Sequence, residues 1–266
     1  MPGKSSLVSI VATALLVAGP VRAQSMLDMV DLSSPAFTKA EMARADIEAA
    51  LAKLPDGEKL DLFGKALNKL DLSGLDLRRV NFQAARLMGA NLSKANLEGV
   101  NLDSAWSMNS DWTGANLKGA SLFGTQLVGA KLDGADFSGA HVAGDFSKAS
   151  MKGAKLDGAD LSANEKNQSM GLMRGTFKST DLEGASFKGA NLRRALIEYS
   201  SLKNADLSGA SLAGSELGGS NFTGADVTGA DFTDADLNSA RIGAMKNADK
   251  ALNIDKAKNI DRAFRN

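Results

Sequence analysis

Cysteine is absent from this chain of 266 residues, histidine occurs once, and aromatic residues make up only 5% of the sequence. Without cysteine the chain can form neither disulfide bonds nor thiolate metal sites. The low aromatic content means that any core must be assembled from Leu and Ala, which favours a narrow, regular interior. The 31 basic residues balance the 31 acidic ones, so the composition indicates neither a strongly basic nor a strongly acidic protein.

The first residues are expected to form an export signal. Lys4 supplies a positive charge ahead of an apolar run at residues 7–18, and small or short residues at 21–23 stand where a signal peptidase reads the chain. As a helix this run would reach about 18 Å, less than the ~30 Å hydrocarbon core, so we expect no permanent membrane span. The sequence predicts cleavage between Ala23 and Gln24 and a periplasmic or secreted product, with an uncleaved anchor or a frayed N-terminus as the alternatives.

A five-residue repeat dominates the rest of the chain. An apolar residue recurs about every fifth position from Leu62 to Ile242, and of 36 such positions only Ser107 is not apolar. A period of five fits neither an α-helix nor a β-strand. It predicts that the chain turns a corner once per repeat, so that every fifth side chain points to one axis.

The register of the repeat is interrupted twice. The spacing shortens to four between Val142 and Phe146, and a polar stretch at 162–171 adds one residue before the pattern resumes at Leu172. We therefore expect a loop at 162–171 with regular repeats on both sides of it.

Each repeat has a recurring pattern around its central apolar residue. From Ala85 onwards the residue two positions earlier is usually small, the residue just before is often Asn or Asp, and Gly is frequent two positions later. Gly adopts positive φ at little cost, and Asn and Asp side chains bond the local backbone, so both suit tight turns. Units of this kind are ANLSK at 90–94, ADFSG at 135–139 and ADVTG at 225–229.

These units resemble the A-(D/N)-L-x-x unit of the pentapeptide-repeat family, over about residues 62–242. The resemblance implies an all-β solenoid, a right-handed quadrilateral β-helix with four repeats per coil. About nine coils stacked at ~4.8 Å would extend about 43 Å. The ends of such a solenoid are its vulnerable parts, so caps are expected at both.

The sequence predicts a short α-helical cap before the solenoid and a looser coil after it. Thr38 and Glu41 have the spacing of a capping box for a helix that Pro55 ends. After Ile242 the period changes to six, which we interpret as a terminal coil, helical or irregular, with Phe264 sealing the base. The expected organisation is a signal peptide at 1–23, an N-terminal segment and capping helix at 24–57, the β-helix at 58–242 and a C-terminal cap or tail at 243–266.

No residue pattern indicates catalysis, a cofactor or a metal site. His141 is expected at an outward position, and no ligand-type residues recur around it at metal-site spacing. The glycines mark turns rather than a phosphate-binding loop, and the carboxylates fall mostly at outward positions. The sequence therefore predicts a protein that is not an enzyme and that holds neither a cofactor nor a metal.

Charge argues against the best-known function of the family, which is mimicry of duplex DNA by strongly acidic rods that bind topoisomerases. A mimic 43 Å long would carry on the order of 25 negative charges, at one per ~1.7 Å. Between Asp56 and Ile242 there are 23 acidic and 20 basic residues. The sequence also lacks the basic stripe of a nucleic-acid-binding protein, so no nucleic-acid partner is expected.

With 20 residues per coil, outward side chains 20 positions apart stack on one face, and one such set is a candidate protein-contact patch. Met88, Met108 and Val128 are 20 residues apart and are expected to form an exposed apolar ladder on one face. Trp106 lies on the same face, and Trp and Met are typical of protein interfaces. The whole predicted patch comprises Met88, Trp106, Met108, Phe123, Val128 and Met170.

The same sequence allows a structural explanation of this patch. Ser107 would leave a hole in the core, and Trp106 could fold inward to fill it. A smaller apolar spot, Leu196 with Tyr199, is expected on another face.

The favoured function is a non-catalytic binding or scaffolding rod of the cell envelope, which presents one face to an unidentified protein partner. The alternative is a structural protein that self-associates end to end or side by side, and the sequence leaves the oligomeric state open.

Overall fold

The structure is a computed structural model that describes residues 31, 33–164 and 173–265. From Ser33 onwards these residues belong to one compact unit. Two helices come first, α1 (Pro35–Thr38) and α2 (Arg44–Lys53), followed by the short strands β1 (Leu60–Asp61) and β2 (Val80–Asn81). The two strands pair in parallel, with Leu60 opposite Val80 and Asp61 opposite Asn81. Three 3₁₀-helices end the described chain, at Ala248–Lys250, Ile254–Lys256 and Ile260–Arg262.

Most of the described chain is a four-sided solenoid whose coils pair through parallel bridges. Most of the bridges join residues 20 positions apart, such as Asn91 with Asp111. We name the four faces by the central apolar residue of their first repeat: face A begins at Leu62, face B at Leu67, face C at Leu72 and face D at Leu77. The ladder of face A runs from Asp61 through nine coils before it reaches the terminal coil. The predicted right-handed quadrilateral β-helix with a short N-terminal helical cap is confirmed.

The core is the single column of central side chains that the five-residue period predicts. Leu92, Leu117 and Leu207 have no exposed surface, and the Ala two residues before each of them is also buried. The small second residue is needed because four segments meet around a narrow interior, where larger side chains would not fit at native packing density.

Corners between the faces combine a left-handed residue with a side-chain hydrogen bond. Lys94 has φ 57° and occupies the corner position where Gly is frequent elsewhere. One repeat motif recurs, in which the residue before the centre accepts a backbone N–H; for example, Ser93 N donates to Asn91 Oδ1 at 3.0 Å. These local bonds explain why Asn and Asp precede so many central residues.

The insertion in the solenoid is larger than the sequence pattern indicates. Asp145 pairs with Thr176, and Gly175 N donates to Leu161 O at 3.0 Å. The next described core residue after Leu161 is therefore Phe177, on the next face, so the predicted loop at 162–171 ends too early. Leu172 itself lies outside the described residues. The five-residue spacing alone could not show this, because Leu172 and Phe177 share the same register.

The N-terminal cap differs from the single helix predicted from Thr38 to Leu54. α1 ends at Thr38 and α2 begins only at Arg44. Between them Glu41 N donates to Ala66 O at 2.8 Å, a carbonyl on the open edge of the first coil. Pairing with this edge displaces the predicted Thr38–Glu41 capping box, since an unpaired edge is a larger liability than a later helix start.

Helix α2 covers the N-terminal end of the core. Its first turn is held by Asp46, whose Oδ2 accepts the backbone N–H of Ala43 at 2.7 Å. Ile47 is fully buried against the core. In the described part of the chain, no helix is both long enough and apolar enough to cross a membrane.

The terminal coil continues the ladder at a six-residue period. Lys246, Leu252, Lys258 and Phe264 pair with the preceding coil, and a left-handed Asn precedes each of the three 3₁₀-helices. Phe264 is 56% exposed, so the prediction that it seals the base is wrong. It occupies an outward bridge position opposite Arg241, and Ile254 and Ile260 instead pack partly buried against the end of the core.

Candidate protein-interaction site

Face B carries most of the predicted contact patch. Trp106 stands on its outward ladder between Arg86 and Gln126. Met88, Met108 and Val128 stand just after the central residues of the same face, as predicted. Phe123 lies on face A, where its ring stacks against His141 with ring centroids 6.4 Å apart. Met170 lies outside the described residues.

The upstream half of this face is covered by the protein's own N-terminal segment, residues 35–41, which we call the strap. Phe37 packs against Trp106 with ring centroids 5.3 Å apart. Asn68 Nδ2 donates to Lys39 O at 3.0 Å, and Glu41 binds Arg86 at 3.2 Å. The strap could not be predicted from the sequence, because its contacts join residues 24 to 69 positions apart without a shared periodicity.

The upstream half of face B therefore does not present the predicted exposed apolar ladder. Met108 is only 5% exposed, so the prediction that it faces solvent is wrong. Met88, Trp106 and Val128 are half-buried. Trp106 instead holds the strap through its contact with Phe37.

The alternative explanation, that Trp106 fills a hole at Ser107, is also wrong. The indole that approaches Ser107 belongs to Trp112, a central residue of face C that is 1% exposed. Trp112 Nε1 donates to Ser110 Oγ at 2.6 Å, and that hydroxyl lies 2.8 Å from Ser107 Oγ. The one polar central residue is thus part of a buried polar group that satisfies the indole N–H.

The downstream half of face B has a different surface. Tyr199 is 70% exposed at a corner where its backbone is left-handed, with φ 55°. Its ring lies over Gly219 of the next coil, where a Cβ would stand 2.5 Å from Tyr199 Cδ1. Leu196 is half-buried on the ladder of the same face and pairs with Glu216. The structure therefore places the smaller spot on face B, the face of the main patch, so the prediction that it lies on another face is wrong.

An arginine from the end of the insertion is fixed beside Leu196. Arg174 Nη1 donates to Glu216 Oε1 at 2.8 Å and to the carbonyl oxygen of Arg194 at 3.1 Å. The Arg174 side chain is only 16% exposed. The sequence gives little indication of this ion pair, because Arg174 lies in the polar insertion and its partner Glu216 is 42 residues away.

The described residues contain no cluster of three or more His, Cys, Asp or Glu side chains that could hold a metal ion. His141 Nδ1 lies 3.6 Å from Asp160 Oδ2, and both side chains are 46% exposed.

A four-sided parallel solenoid with left-handed corners defines the class of protein, a quadrilateral β-helix. The family model for pentapeptide repeats matches this chain in eight copies, at residues 67–103, 109–139 and 200–238, so these parts of the chain are pentapeptide repeats. A comparison with curated protein sequences finds no match.

Solved structures of other pentapeptide-repeat proteins resemble this fold. A trypsin-treated form of QnrB1, a plasmid-mediated fluoroquinolone resistance protein, is 18% identical with a TM-score of 0.54, over 77% of this chain and 91% of that one. HetL of the cyanobacterium Nostoc, involved in heterocyst differentiation regulation, is 24% identical with a TM-score of 0.45, over 84% and 94%. A protein from the Arabidopsis thaliana thylakoid lumen is 23% identical with a TM-score of 0.20, over 61% and 68%. At these identities the QnrB1 likeness supports the fold alone.

Proposed function

We propose that this protein is a non-catalytic, exported binding protein of the cell envelope, and that the downstream half of face B is its contact surface. The observation that carries this proposal is the exposed position of the Tyr199 ring at a left-handed corner. A bulky side chain is uncommon in the left-handed conformation and costs about 1–2 kcal/mol there. The protein nevertheless holds the ring outward, with Gly219 leaving the space that it needs.

A large exposed aromatic side chain is typical of a protein-contact surface. Tyrosine is enriched among the residues that contribute most binding energy in protein interfaces. Leu196 adds apolar surface on the same face, and Arg174 adds a fixed charge at its border. This combination of aromatic, apolar and arginine side chains suits a protein partner.

Export is proposed from the sequence, since residues 1–23 have the charged, apolar and small-residue regions of a signal peptide. Expression of the full chain with its leader, followed by fractionation and N-terminal sequencing, tests this. We expect an extracytoplasmic product that begins at Gln24. A cytoplasmic product that keeps Met1 would contradict the export.

Local charge pairing supports a protein partner rather than DNA mimicry. On face D, Lys118 lies 3.4 Å from Asp136 and Lys188 lies 3.2 Å from Asp206. On face C, Lys152 lies 3.2 Å from Asp181. Because lysine side chains pair with these aspartates, faces C and D do not present the uniform negative charge of a DNA duplex.

The binding surface is tested by affinity capture from envelope extract with matched variants. Tyr199→Ala is expected to lower recovery of the partner at least tenfold. Phe63→Ala is the control, because Phe63 is a comparably exposed aromatic (57%) on face A. Equal recovery with both variants and the unmodified protein would contradict a contact role for Tyr199.

A second candidate function is self-association through the C-terminal end. An open concavity of about 430 Å³ there is lined by apolar side chains that include Ile242, Met245 and Ile254. Light scattering after size-exclusion chromatography distinguishes the two functions. A strict monomer at high concentration argues against self-association and leaves the binding proposal standing.

A further inference from the structure

A notch lies at the edge between faces A and B, downstream of the insertion. It arises because one coil has Ala213 and Gly214 at the corner, where the coil before it has Arg193 and Arg194. The coils on either side are two inter-strand spacings apart, about 10 Å. The resulting open groove has a volume of about 440 Å³.

The walls of the notch carry an excess of positive charge. Four lining residues are basic and two are acidic, although the chain as a whole has equal numbers of both. The basic lining residues are Arg174, Arg193, Arg194 and Lys258, and the acidic ones are Glu216 and Asp234. Anions are therefore favoured in the notch over cations.

One arginine of the notch is held in place before any ligand arrives. Arg174 is bound to Glu216 and to the Arg194 carbonyl, so its guanidinium loses little freedom on binding. The aliphatic stem of Arg194 lies over Gly214, where a Cβ would stand 3.3 Å from its Cγ. The planar forks of arginine match carboxylates in two-point hydrogen bonds.

The surroundings of the notch distinguish among anions. Glu216 lines the notch and pairs on face B with Leu196, so apolar surface begins where the charged groove ends. Tyr199 stands at the far corner of the same segment, three residues from Leu196. An extended peptide with an acidic side chain close to an apolar one would contact both regions, whereas an inorganic anion would use the arginines alone.

We propose that the notch binds carboxylate side chains of an acidic, apolar-flanked segment in the protein partner. This inference rests on the proposed binding function and names the chemistry of the partner. Arg193 and Arg194 contact the carboxylates, and Leu196 with Tyr199 contact the neighbouring apolar side chain.

The test uses the full chain and a fluorescein-labelled peptide of alternating Glu and Leu, with a Gln–Leu peptide of equal length as the uncharged probe. Fluorescence anisotropy should show at least tenfold tighter binding of the Glu–Leu peptide at low salt. Arg193→Gln with Arg194→Gln should remove most of that preference. The charge-matched control, Lys131→Gln with Lys203→Gln on face C, should leave it within twofold.

Several outcomes would overturn this inference. Equal binding of the two peptides, or equal losses in the arginine and lysine variants, would show that the notch does not select carboxylates. Tighter arginine-dependent binding of a single-stranded oligonucleotide would assign the notch to phosphates instead. Thermal unfolding of each variant checks that the fold is intact. If partner capture still depends on Tyr199 while the peptide test fails, the proposed function stands and only the notch assignment falls.

Discussion

The two halves of face B share one backbone geometry and differ in what covers them. In the upstream half the strap lies across the face, with Phe37 against Trp106 and Glu41 bound to Arg86. In the downstream half Tyr199 stands exposed. The repeat dictates the inward positions in both halves and leaves the outward positions free, so function is expected where outward residues depart from small and polar types.

The insertion separates the two halves along the chain, but the core continues from one half to the other. Phe146, before the insertion, stacks on Phe177, after it, with ring centroids 5.1 Å apart. Each coil contacts only its neighbours, so coupling between the halves depends on this junction.

The largest expected effect comes from breaking that junction. Phe177→Ala removes a fully buried ring and should lower the free energy of unfolding by about 3–5 kcal/mol. Denaturant unfolding followed at several wavelengths should then show two transitions, one for each half. Phe177→Leu, which keeps most of the apolar volume, should retain a single transition. Two transitions in the unmodified protein would mean that the halves are not coupled.

A smaller loss is expected when the space under Tyr199 is filled. Gly219→Ala and Gly209→Ala both place a Cβ at positive φ, which costs about 1–2 kcal/mol each. Only at Gly219 does that Cβ meet a ring, whereas at Gly209 the nearest atom is 4.0 Å away. Chemical denaturation should therefore show a greater loss for Gly219→Ala. The excess should vanish in a Tyr199→Ala background, and its persistence there would contradict the packing described.

Loosening the strap should have a milder effect. Phe37→Ser removes the ring against Trp106 and should cost about 1 kcal/mol. Because Trp112 is buried, an increase in acrylamide quenching of tryptophan fluorescence relative to the unmodified protein would show that Trp106 has become more exposed. Phe63→Ser, on face A, is the control and should leave quenching unchanged. No increase with Phe37→Ser would indicate that other strap contacts hold the segment in place.

The smallest effect concerns acid and the terminal coil. Hydrogen bonds from the Thr228 hydroxyl, the Thr228 backbone N–H and the Asn247 amide lower the pKa of Asp226 from 3.8 to about 2. A lowered folded-state pKa means that this stabilisation is present above pH 4 and is lost as the pH falls from about 4 to about 2. Asp226→Asn should therefore flatten the acid unfolding curve slightly in that window, and Glu183→Gln should not. An NMR titration midpoint for Asp226 near 4 would contradict these bonds.

Much of the fold follows from the sequence because one side chain in five must reach a shared axis. That requirement fixes the buried positions of Leu92 and Leu117 and tolerates the four-residue step after Val142. The same requirement says nothing about contacts made outside the coil. The strap across Trp106 and the Arg174–Glu216 pair join distant parts of the chain and carry no period.

The errors have related physical causes. Met108 was expected to be exposed because its repeat position faces outward, yet it is buried. Phe264 was expected inside because it is apolar, but the six-residue period places it on the outward ladder. At the N terminus, backbone pairing with the open edge prevailed over a helix start at Thr38.

The bridges between coils have a mechanical consequence. Hydrogen bonds such as Leu92 N to Asp111 O, 2.6 Å long, point from one coil to the next, along the axis of the solenoid. A force applied to the two ends would load these bonds in tension, a few at a time, and would peel coils off from whichever end yields first. The helix and strap at one end and the 3₁₀-helices at the other therefore act as fasteners whose strength sets the force at which unravelling starts.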